Sequence, residues 1–167
     1  MIANGNYLLI VETNHNSVLR VDPNSGEVVR VFDLSVEDPA PIILSRHGND
    51  FYLGGFDGLI QTFDYSWGPV TTYDSGYSAI VNMLFYQNSI HLLEPFAPET
   101  PWTPETGRVL RRNRDGSRDI LACGLNFPIG MVRKGNNLYV STNSFGSGPV
   151  AGLGNIVVIR LPGEETE

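Results

Sequence analysis

With 167 residues, 41% of them apolar, the chain can bury a core of one domain's size; 18 glycines, 11 prolines and 17% charged residues point to a turn-rich β protein. A formal net charge of -7 argues against nucleic acid and anionic membrane as partners, because both need a basic footprint. The single cysteine, Cys123, excludes an intramolecular disulfide and argues against a Cys-based zinc site. No apolar run approaches bilayer-spanning length, and Met1-Ile-Ala-Asn-Gly-Asn carries neither a basic n-region nor an apolar h-region, so neither membrane insertion nor an export signal is expected from this stretch.

The chain reads as four imperfect copies of one unit. Gly5, Gly48, Gln87 and Gly135 each stand in a tight turn beside an apolar run, as in Met1-Ile-Ala-Asn-Gly-Asn-Tyr-Leu against Met131-Val-Arg-Lys-Gly-Asn-Asn-Leu. They recur at roughly 40 to 50 residues, the length of a four-stranded propeller blade. Residues 1–36 offer a truncated strand A (Met1 to Ala3), then strands B (Tyr7 to Val11), C (Val18 to Val21) and D (Val28 to Phe32). Residues 37–78 offer Pro41 to Leu44, Phe51 to Gly54, Leu59 to Phe63 and Val70 to Tyr73. Residues 79–126 offer Ile80 to Phe85, Ile90 to Leu93, Val109 to Arg112 and Asp119 to Ala122. Residues 127–162 offer Ile129 to Val132, Leu138 to Ser141 and Ile156 to Arg160, with no fourth strand; residues 163–167 read as a disordered acidic tail. The B runs are continuously apolar, as expected of inner strands packed on both faces.

The expected fold is therefore all-β: one partial β-propeller domain of about four antiparallel blades. Propellers close by pairing strands from both termini, so the missing strands lead us to expect part of a larger ring, completed by a homo-oligomer or by a complementing N-terminal propeller segment.

In such blades the B to C loops collect on one face and the short A to B and C to D turns on the other. Asp22-Pro-Asn-Ser-Gly26 and Asn113-Arg-Asp-Gly116 read as plain hairpin turns. The longest loops are residues 94–107 and 142–155, and long loops on a rigid scaffold are where binding tends to live. Trp102, held among prolines, either presents a ring for stacking or packs as a lid on its own blade. With His15, Phe96 and Phe145 it forms the expected ligand or partner face, for a small molecule, a glycan or a protein. Glu12 and Glu94 align at the tops of B strands and could hold calcium or another divalent cation with Asn126 and Asn143; the plain alternative is that each glutamate caps a loop or pairs with an arginine. The arginines between Arg108 and Arg118 read as water-facing strand positions. His91 falls inside a strand, His47 on the turn face, and no nucleophile is set beside a base, so no catalytic residue and no organic cofactor is expected.

The segments Gly107-Arg-Val-Leu-Arg-Arg-Asn-Arg-Asp-Gly-Ser-Arg, Gly124-Leu-Asn-Phe-Pro-Ile-Gly-Met and Asn137-Leu-Tyr-Val-Ser-Thr-Asn resemble the ScyD/ScyE family of β-propellers, and more distantly NHL-repeat and gluconolactonase-like six-bladed propellers. The resemblance runs from about residue 90 to 162 and implies a longer N-terminal part and an exported, periplasmic or extracellular protein. The gluconolactonase-like likeness implies a channel metal that activates water, making a metal-dependent hydrolase or lactonase the alternative to a non-catalytic binding or scaffold module. A structural assembly subunit, joined through open blade edges, is the third reading.

Overall fold

A computed structural model describes residues 1–34, 40–144 and 154–161. Every regular element among them is a β-strand, and within each sheet the strands are antiparallel and lie in sequence order. The first sheet takes β1 (Ile2–Asn4), β2 (Tyr7–Glu12), β3 (Ser17–Val21) and β4 (Val28–Asp33) in that order. The second takes β5 (Pro41–His47), β6 (Asp50–Gly55), β7 (Ile60–Asp64) and β8 (Thr71–Asp74). The third takes β9 (Asn82–Tyr86), β10 (Ser89–Glu94), β11 (Gly107–Arg112) and β12 (Arg118–Leu125). The fourth has three strands among the described residues, β13 (Met131–Lys134), β14 (Asn137–Thr142) and β15 (Asn155–Arg160). These four antiparallel meanders are the blades of a β-propeller, as the repeats predict. The expected acidic tail lies outside the described residues.

The repeat anchors have a common backbone cause. Gly5, Gly48, Gln87 and Gly135 all take left-handed φ values, 60, 61, 52 and 57°. A hairpin of this twist demands positive φ, which glycine adopts without steric cost and glutamine does not. The C to D turns behave as plain Asx turns: Asp22 Oδ1 accepts from the Asn24 amide at 2.8 Å and Asp115 Oδ1 from the Ser117 amide at 3.0 Å.

The chain divides into two compact units, Met1–Met83 and Leu84–Glu167. In the first, Leu9, Val18, Leu34, Leu44, Phe51, Leu53 and Phe63 form a buried cluster. Phe51 is its centre, with Phe63, Tyr65 and Trp67 ring centroids at 5.0, 4.9 and 6.0 Å. The Tyr65 hydroxyl donates to Asn4 Oδ1 at 2.7 Å, tying the second sheet to the first. A close backbone approach fixes Gly58, since a Cβ there would lie 1.9 Å from the Tyr77 carbonyl oxygen. In the second unit the buried residues include Leu92, Leu93, Val109, Leu110, Met131, Leu138 and Val140.

Uniform burial of the B strands is corrected in part. β6 and β10 are buried at every position after the first, whereas β2 is mostly half-buried and β14 alternates. β14 follows the period-2 rule of a sheet with one wetter face: Leu138 and Val140 point to the core while Tyr139 and Ser141 are half-exposed.

Candidate functional site

The loop between β10 and β11 is the best-built candidate. Its base is closed by register, because Glu94 pairs directly with Arg108. The Glu94 side chain is fully buried, and Arg108 Nε donates to its Oε2. A buried carboxylate needs such a partner, since desolvating it alone costs several kcal/mol. Arg108 therefore turns inward, correcting the water-facing assignment at that position. Arg111, partly exposed, pairs across the strands with Asp119 at 2.7 Å.

Above this base the chain coils through successive turns: the Thr100 amide donates to the Ala97 carbonyl and the Thr103 amide to the Thr100 carbonyl. Trp102 and Glu105 take φ values of 59 and 61°, conformations that cost a non-glycine residue about 1–2 kcal/mol each. The outcome places two aromatic residues together. Phe96 is buried, Trp102 is 58% exposed, and their ring centroids lie 5.0 Å apart at 46°. Trp102 is thus both packed on its own loop and presented, which joins the two alternatives read from the sequence. In the same loop, Thr100 Oγ1 is buried without a hydrogen-bond partner.

Asn126 and Asn143, two of the four candidate cation ligands, contact each other. The Asn143 amide donates to the Asn126 carbonyl oxygen at 2.7 Å, and Asn126 Nδ2 donates to Asn143 Oδ1 at 2.7 Å. This double contact links the end of β12 to the end of β14. Asn126 Oδ1 is left buried with no hydrogen-bond partner.

Glu12 and His15 also come together, within the first unit. His15 Nδ1 lies 2.8 and 2.7 Å from the two Glu12 carboxylate oxygens, and Ser17 Oγ donates to Oε2 at 3.3 Å. The His15 hydrogen bond holds the Glu12 carboxyl below its ordinary range. His15 itself is well exposed. Phe145, the remaining expected contact, lies outside the described residues. Among the described residues no three His, Cys, Asp or Glu side chains converge on a common point.

His91 lies within β10, 3% exposed, with Nδ1 buried and unpartnered. Burial, then the charges of Arg111 and Arg133, push its pKa down to about 4. Tyr86 lies beside it at 6.2 Å between centroids, and Arg133 sits over the Tyr86 ring at 3.2 Å.

No protein-family model matches the chain, and no curated protein resembles it in sequence. Solved structures do resemble it in shape. A chain of a nidogen/laminin complex aligns at a TM-score of 0.69 and 12% identity, over 94% of this chain and 56% of that one. The computationally designed Ika4 protein aligns at 0.60 and 14% identity, over 96% and 88%. The N-terminal domain of Nup159 aligns at 0.56 and 10% identity, over 97% and 44%. The chain thus spans about half the length of the two natural proteins. At these identities the likeness shows the fold, a β-propeller, and no more.

Proposed function

We propose that this chain is a non-catalytic binding or scaffold module that holds a small molecule, glycan or protein partner against its loop face. The observation that carries the reading is Trp102: a large aromatic ring, 58% exposed, fixed over Phe96 by a loop whose base is locked by a buried ion pair. An exposed ring on a stiff support loses little freedom on binding, which is what makes tryptophan effective at interfaces. His15 and Phe145 belong to the same proposal. The nidogen/laminin structure is itself a complex, which favours a protein among the partner classes. The finer assignment, to the ScyD/ScyE family and its exported location, rests on the motifs between Gly107 and Asn143 and is part of the proposal.

The test is a screen of glycan and protein arrays with the native chain and Trp102→Ala, with unchanged melting as the folding control. Ligands of the native chain should weaken at least tenfold, since contact tryptophans carry about 2 kcal/mol or more. Ligands that bind both proteins equally would remove the loop-face reading.

A metal-dependent hydrolase or lactonase is a second reading, favoured by the bare Asn126 Oδ1 next to Asn143. The rest of the expected donor set fits poorly, because Glu94 is held by Arg108 and Glu12 by His15. If this reading holds, calcium or zinc raises the melting temperature of the native chain, because a ligand of the folded state stabilises it, and not that of Asn126→Ala. Absence of any shift in the native chain would sink it. Assembly through blade edges is a third reading, favoured by Ile156 and Val158, 64% and 54% exposed on β15, which ends the fourth sheet among the described residues.

A further inference from the structure

The second sheet carries a different feature at its tight-turn end. Strand register sets Asp50 of β6 opposite Asp64 of β7, Tyr52 opposite Thr62, and Thr62 opposite Thr71 of β8. Because side chains alternate along a strand, Asp50, Tyr52, Thr62, Asp64, Thr71 and Tyr73 all project from one face. The other face holds Phe51, Leu53 and Phe63 in the core. Along the first face runs a cavity of about 400 Å³, bordered by all six residues.

Its two ends differ in chemistry. At one end Tyr52 and Tyr73 stand edge to face, centroids 5.3 Å apart at 90°, with Tyr52 buried and Tyr73 40% exposed. The other end holds two carboxylates directly opposite each other, a pairing that repels. Among the described residues neither Asp50 nor Asp64 has an ion pair. Asp64 is committed to the negative state: its Oδ1 accepts from the Ser66 amide at 2.8 Å and from Ser66 Oγ at 2.5 Å, and these bonds hold its carboxyl below the usual range.

The geometry points to a second binding site here, a groove that takes an arginine side chain from a basic segment of a partner protein. The aliphatic stem would lie against Tyr73, and the guanidinium's fork of N–H donors would reach both carboxylates. A planar cation with several donors relieves the Asp50 and Asp64 repulsion, which a neutral sugar leaves in place. The molecule's overall charge of -7 draws such a segment in.

Titration of the isotopically labelled chain with N-acetyl-arginine amide, followed by NMR, tests this. Shifts should concentrate at Tyr52, Thr62, Thr71 and Tyr73. Asp50→Asn and Tyr73→Ala should each weaken binding roughly 2- to 5-fold. Glu27→Gln, an equal loss of charge at an exposed residue of the turn between β3 and β4, should leave it unchanged. Equal weakening by Asp50→Asn and Glu27→Gln would overturn the site, as would shifts away from the groove or no shifts at all. A methyl glucoside that moves the same signals with equal or greater affinity would overturn the choice of ligand. Matching amide spectra for the variants establish that each is folded.

Discussion

At the scale of single residues, the second unit holds, among its described residues, two buried ionisable side chains with opposite fates. Glu94 is buried as half of an ion pair with Arg108, and the pair fixes the base of the loop above it. His91 is buried with no partner at Nδ1, so its charge is suppressed, and its pKa falls from the ordinary 6.5 to about 4. The unfolded chain therefore binds more protons than the folded one between these values. Stability is complete above pH 6.5 and is lost as the pH drops toward 4, by about 2–3 kcal/mol from this residue. In His91→Leu, thermal melting followed from pH 7 to pH 4.5 should show a markedly smaller decline than in the native chain. The carboxylates with lowered pKa, Glu12, Asp64, Asp115 and Asp119, titrate alike in both proteins and do not obscure the difference. Equal declines would mean that His91 is protonated without penalty.

At the scale of elements, β15 is the strand most open to change. Register aligns Val132, Tyr139 and Val158 across the fourth sheet, and Ile156 projects from the same face, so three well-exposed aliphatic side chains share one surface. Under the assembly reading, light scattering finds an oligomer that Ile156→Lys and Val158→Lys together reduce to the mass of one chain; a native chain that is already monomeric would end that reading. The strands themselves were legible in the sequence because their punctuation is local. Glycine at a left-handed turn and an apolar run after it are signals carried by neighbouring residues. Gln87 shows the limit, since it takes the same conformation without the usual residue, and only its place in the repeat gave it away. Which face a side chain joined was less legible. Phe51-Tyr52-Leu53-Gly54 reads as one apolar run, yet its alternation divides it between the core that takes Phe51 and Leu53 and the groove that takes Tyr52.

At the scale of the whole molecule, the repeat predicted four meanders, and these are present, while chemistry was legible only in part. The sequence placed Glu12, Asn126 and Asn143 at strand ends, but not the contacts they make, Glu12 with His15 and Asn126 with Asn143. The inward turn of Arg108 was not legible either, because opposite partners separated by a long loop are matched by register, which the sequence does not print. That same register gives the longest described loop an unusual independence. The loop begins and ends at a paired stem, with Phe96, Ala97 and Gly107 packed at its base, so the length and composition of residues 98–106 can drift while the strands below stay aligned. Over evolutionary time this makes the segment an exchangeable cassette: descendants of one blade could acquire new targets by rewriting it, with no other part of the chain obliged to follow.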